Sequence, residues 1–206
     1  MKNTVIIIVL LFISKILFGQ GTKPNEFYAS YEDYKSGKAI PGVTLTHGVG
    51  SMVLGLRKVG IEQDGVRKKV KLSELPGPFF TDNGVLVRLY KNNIYYVLID
   101  GPMCFYMDCF ESDFHTSGDS VNFEDFYMQH QVARNIVPYP TEYYSMTIRG
   151  DIEKLKEGDF KKMLETKNLK QNFEKDKPKR EFKDTVDGYL CKLTRRTVKY
   201  VRLYNQ

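Results

Sequence analysis

The run from Phe79 to Ile99 restricts the fold most. Pro76-Gly77-Pro78 breaks the chain ahead of Phe79 and Phe80, and Asp82-Asn83-Gly84 tolerates the positive φ that tight turns demand. Val85, Val87 and Leu89 then alternate with Leu86, Arg88 and Tyr90, and Asn92-Asn93 supplies a second polar turn. Ile94 to Ile99 is a β-branched and aromatic run closed by Asp100-Gly101-Pro102. Continuous apolar character of this kind marks a central strand covered on both faces. The pattern predicts at least two adjacent antiparallel strands within residues 79–99.

The flanking segments extend that reading in two directions. Ser30-Tyr31-Glu32-Asp33 resembles a capping box, and Gly37 supplies a stop, so a helix of one or two turns is expected there. From Ile40 onward, glycines separate short segments containing Val43, Leu45, Val53 and Leu54, while Val66, Val70 and Leu72 mark a short basic strand. Residues 103–146 are aromatic but irregular, with turn signals at Ser117-Gly118-Asp119 and Pro138-Tyr139-Pro140. After Gly150 the period becomes helical: Ile152 and Leu155 share one helical face, and Asp159 caps a helix carrying Phe160, Met163 and Leu164. Leu169 and Phe173 can continue that packing. Leu190, Leu193, Thr197, Val201 and Tyr204 then fall at three- and four-residue steps, which favours a C-terminal helix over the strand that Thr197, Val198 and Tyr200 would also suit. Strands first and helices last predict an α+β fold, with an antiparallel β-sheet in the N-terminal and central part packed against C-terminal helices.

The N-terminus points to export. Met1 and Lys2 precede nine unbroken apolar residues, Val5 to Ile13, and Lys15 keeps the stretch too short to span a bilayer. Residues 1–19 read as a signal peptide, with cleavage after Gly19 or Gly21, and no nearby cysteine supports a lipid anchor. Residues 20–206 then form a single globular α+β domain, periplasmic or secreted, with no transmembrane segment. Loss of Lys2 and Lys15 lowers the formal charge from +6 to +4. Acidic and basic residues are intermixed, which argues against a nucleic-acid partner. The dense basic run from Lys175 to Lys183 reads as a solvated loop.

The N-terminal segment, Phe27-Tyr28, Tyr31-Glu32-Asp33-Tyr34, Tyr143-Tyr144-Ser145 and the helix ending in Tyr204-Asn205 resemble pieces of small uncharacterised exported proteins of the Bacteroidetes group. The resemblance implies residence outside the cytoplasm and transfers no catalytic residue.

No constellation reads as a reaction centre. Asp108, Glu111, Asp113, His115 and Asp119 form the best candidate, since Glu111, Asp113 and His115 would share one strand face. Their spacing matches neither a zinc helix nor a calcium loop, and a polar strand edge produces the same residues. His47 and His130 lack a neighbouring nucleophile motif, and Gly48-Val49-Gly50 lacks the lysine of a phosphate loop. Cys104, Cys109 and Cys191 leave at least one thiol free or paired between chains, and buried small hydrophobes are expected for at least two of them. The sequence therefore favours a non-catalytic exported binding or interaction domain, with no catalytic, metal or cofactor residue and an unknown protein or glycan partner. Its tyrosines can fill a core or serve an interface. The alternative is an exported hydrolase using residues near His115 or His130.

Overall fold

The computed structural model describes residues 25–46, 58–82, 84–108, 141–182 and 186–206, the side chains of 186–191 excepted. In chain order, β1 (Phe27–Tyr28) leads into α1 (Tyr31–Lys35), then β2 (Val43–Leu45), β3 (Lys58–Gln63) and β4 (Val66–Lys71). A hairpin series follows, with β5 (Phe79–Asp82), β6 (Val85–Tyr90), β7 (Asn93–Ile99) and β8 (Cys104–Met107). After β9 (Glu142–Ser145) and β10 (Glu153–Lys154) come α2 (Glu157–Glu165), α3 (Lys170–Lys175) and α4 (Val186–Tyr204). The strands make an antiparallel seven-stranded sheet in the order β1-β5-β6-β7-β8-β9-β10 and a three-stranded sheet β2-β3-β4. The α+β reading holds.

The segment 79–99 contains three successive antiparallel strands. Turn geometry sets their register: Gly84 has φ +83°, and Lys91 and Asn92 take φ +49° and +59°, so the second turn sits one residue earlier than the sequence suggested. Strand β7 is internal, flanked by β6 and β8, and its two buried residues are Tyr95 and Tyr96. A bulge between Val97 and Ile99 shifts its pairing with β8.

Alternation gives the large sheet two different faces. The inner face carries Phe27, Phe80, Val87, Tyr96, Phe105 and Met107, packed with Phe160, Leu164, Phe173 and Val201 of the helices. Val43, Leu45, Val59, Ile61 and Val70 of the small sheet join the same core. The isolated bridge between Glu26 and Thr44 ties the two sheets edge to edge. On the outer face, α1 seats Tyr31 and Tyr34 against Tyr28, Phe79 and Leu86. Ser30 caps that helix as expected, accepting from the Asp33 N–H at 3.1 Å, and Gly37 ends it at φ +66°.

Two expectations fail. Ile152 and Leu155 do not share a helical face, because Glu153–Lys154 pairs with Tyr144 and Tyr143 as an edge strand. Residues three apart on extended chain point to opposite sides. Ile152 accordingly packs on Tyr95 and Tyr106, and Leu155 on the helix-side core. The following helix begins at Glu157 with Lys156 as its N-cap, so Asp159 lies in its first turn rather than capping it. The C-terminal stretch is helical, as its three- and four-residue spacing indicated.

Candidate functional site

The end of the outer face formed by β6–β9 gathers the most chemistry. Even positions of β6 and odd positions of β7 place Arg88 beside Tyr95, and register sets Tyr106 beside Tyr143. Tyr95 meets Tyr143 at 5.0 Å and 77°, Tyr106 at 6.4 Å and 73°, and Tyr90 at 6.4 Å and 58°. These are tilted and edge-to-face contacts, the arrangement that the ring quadrupole favours.

Arg88 lies beneath these rings, 5% exposed. Its Nη2 donates to the Gly150 carbonyl at 2.8 Å and its Nη1 to the Tyr106 hydroxyl at 3.3 Å, while Cζ sits 5.2 Å from the Tyr90 centroid. Among the described residues, no carboxylate lies within ion-pair distance of this guanidinium. A carbonyl, a phenol and a π face disperse its charge instead. Proton directions follow. Ser145 Oγ donates to the Thr147 carbonyl at 2.5 Å, so its 2.7 Å contact with Tyr106 is donated by the phenol. Burial pushes the Tyr106 hydroxyl up, with Ser145 and Arg88 opposing, so it stays protonated at neutral pH. The relay ends on a carbonyl and contains no general base, which leaves Ser145 without an activating partner.

Carboxylates frame the rim. Asp108 accepts from the Thr141 N–H at 2.8 Å and from the Tyr143 hydroxyl at 3.2 Å, and Tyr90 donates to Asp151. Burial and then the negative charge of Asp108 push Tyr143 up to about 12. The half-buried rings of Tyr90 and Tyr143 are thus held by their hydroxyls. The faces of Tyr90 also carry Arg88 and the Lys91 ammonium, the latter at 4.8 Å from the centroid.

Of the residues singled out from sequence, Asp108 is placed here as an anchor for β9. Glu111, Asp113, His115, Asp119, His47, His130, Cys109 and the 48–50 loop lie outside the described residues, as does the side chain of Cys191. Cys104 is a free, fully buried thiol donating to the Gly101 carbonyl at 3.4 Å. Among the described residues, no group of three His, Cys, Asp or Glu side chains is placed to hold a metal. Nor is any helix there long and apolar enough to cross a membrane. In the basic run, Asp176 accepts from Lys199 at 2.5 Å and Tyr200 at 2.7 Å, so this part docks on α4, while Lys177, Lys179 and Arg180 stand exposed.

In the sequence, Arg88 stands out only as a marker of alternation. Its signal was present, since a lone arginine shares strand parity with Leu86 and Tyr90. Two further charged side chains lie on the helix side. Glu142 accepts from Thr194 at 2.7 Å and Thr197 at 3.5 Å, and Arg196, 8% exposed, stacks 3.9 Å above Phe173 with Glu157 at 3.7 Å. No family model, curated protein or solved structure matches the chain.

Proposed function

We propose that the protein is a non-catalytic exported binding domain that engages a protein partner through the Tyr90–Tyr95–Tyr143 corner. The supporting observation is the fixing of half-buried tyrosines by carboxylates: Tyr143 by Asp108, and Tyr90 by Asp151. Tyrosine supplies large amphipathic contact area with few rotatable bonds, and holding its hydroxyl in advance lowers the entropy cost of association. Edge-to-face packing and the cations over Tyr90 leave ring edges, rather than open ring faces, for contact. That suits a protein surface better than a stacked sugar. Export rests on the charged and apolar N-terminal pattern and on the resemblance to exported Bacteroidetes proteins.

The test is affinity purification of the tagged chain from its native envelope, run beside a Tyr90→Ala/Tyr143→Ala variant. A protein retained by the first and lost with the second is the expected result. An identical set from both samples overturns the assignment. Turnover of a hydrolase substrate panel, abolished by His115→Ala or His130→Ala, would replace it with the hydrolase reading.

A further inference from the structure

The small sheet turns its other face to solvent. Val59 opposes Val70 and points into the core, so the alternate positions Lys58, Gly60 and Glu62 of β3 face outward with Lys71, Lys69 and Arg67 of β4. These six positions hold four cations and one carboxylate. Glu62 is engaged by Arg67, whose Nε lies 2.9 Å from Oε2. Glu74 turns its carboxylate to the backbone N–H of Lys71 at 3.0 Å rather than to the ammonium. Among the described residues, Lys58, Lys69 and Lys71 have no carboxylate within ion-pair distance, and all three are exposed.

The register makes this costly for the fold. Lys58 and Lys71 are direct cross-strand partners, their Cβ atoms about 5 Å apart, and like charges placed directly opposite each other are destabilising. Lysines on an edge strand do discourage edge-to-edge aggregation. That role needs charge on β4 alone and does not call for Lys58 on the inner strand. An anion lying across both strands would relieve the repulsion.

We propose that this face binds a linear anionic polysaccharide. Arg67, Lys69 and Lys71 succeed one another at about 6.7 Å per two-residue step, a row suited to a polymer with regularly repeated charge. Gly60 opposes Lys69, so the lane beside that ammonium is bare backbone against which a sugar ring can rest. No aromatic side chain occupies the outward positions, so bases of a single-stranded nucleic acid would find no stacking platform. The same positions offer no apolar side chain to insert among lipids.

Binding of sodium polygalacturonate to the purified chain, measured over a series of salt concentrations, tests the assignment. The Lys58→Gln/Lys69→Gln/Lys71→Gln variant should bind about tenfold or more weakly at low salt, with the slope of log K against log salt reduced by about two. A Lys175→Gln/Lys177→Gln/Lys179→Gln variant should bind as the parent does, and neutral dextran should bind to neither. The unfolding midpoint of the first variant should be unchanged or raised, because the Lys58–Lys71 repulsion is gone. Equal affinity in the first variant, or an equal loss in the second, overturns the proposal. So does binding of an unstructured oligonucleotide or of phosphatidylglycerol vesicles as tight as that of polygalacturonate.

Discussion

Asn205 closes a two-bond ring on the backbone of Met103: its Oδ1 accepts from the Met103 N–H at 2.8 Å, and its Nδ2 donates to the Met103 carbonyl at 2.9 Å. A side-chain amide here takes the place of a strand partner and fixes the end of α4 to the start of β8. Gly101 allows the approach, since a Cβ there would lie 2.6 Å from the Asn205 amide nitrogen.

Removing the amide should therefore loosen both elements. Asn205→Ala leaves a part-buried N–H and carbonyl without that partner and should cost about 1–3 kcal/mol. Asn205→Asp should cost at least as much, because a carboxylate oxygen would face the Met103 carbonyl. Urea unfolding gives the cost, and hydrogen exchange at the Met103 amide locates it. Unchanged protection at that amide would dismiss the ring as a stabilising contact.

Gly77 and Gly84 should respond to alanine for different reasons. A Cβ on Gly77 would fall 2.2 Å from the Tyr28 carbonyl oxygen and 2.9 Å from its carbon, both backbone atoms that cannot rotate away. Gly77→Ala should cost about 2 kcal/mol or more by forcing β1 from the β5 edge. Gly84 has open space around it but sits at φ +83°, so Gly84→Ala should cost about 1 kcal/mol through backbone conformation alone. Comparison of the two unfolding midpoints decides, and a smaller loss for Gly77 would contradict the close approach.

Local chemistry explains which elements were legible. The hairpin series declared itself because each strand between Phe79 and Ile99 is bounded by residues that accept turn geometry, Gly84 and Asn92 among them. The Ser30 cap and the apolar stripe of α4 are equally local signals. Residues 152–155 misled because an i, i+3 apolar pair suits a helix with one core as well as a strand between two. Ile152 and Leu155 serve different clusters, and only the pairing of Glu153 with Tyr144 distinguishes the cases. The tyrosine corner was visible as composition and invisible as a site. Arg88 finds Gly150 across 62 residues, and Tyr106 finds Ser145 across 39, separations that no periodicity encodes.

Export has a direct readout. Lys2 followed by the apolar run Val5 to Ile13 should direct the chain out of the cytoplasm, with cleavage after Gly19 or Gly21. Cell fractionation with N-terminal sequencing should find a chain starting at Gln20 or Thr22. A cytoplasmic chain that retains Met1 would refute the reading.

Glu142 should make stability fall as pH rises. The residue keeps some accessible surface, but its carboxylate lies beneath α4, bonded to Thr194 and Thr197. Desolvation raises its pKa above the ordinary 4.5, outweighing the two threonine bonds and the charge of Arg196. The folded chain therefore keeps this proton at pH values where the unfolded chain has released it. Stability associated with the neutral carboxyl is fully present below the unfolded value and is lost as pH rises through the raised folded value. Glu142→Gln keeps the site neutral throughout and accepts from the same hydroxyls. The variant should gain on the parent as pH is raised from about 4 to about 7, and the difference between their unfolding free energies measures the linkage. A difference that stays constant across that window would show that the carboxyl ionises alike in both states, and the enclosure by α4 would then carry no proton.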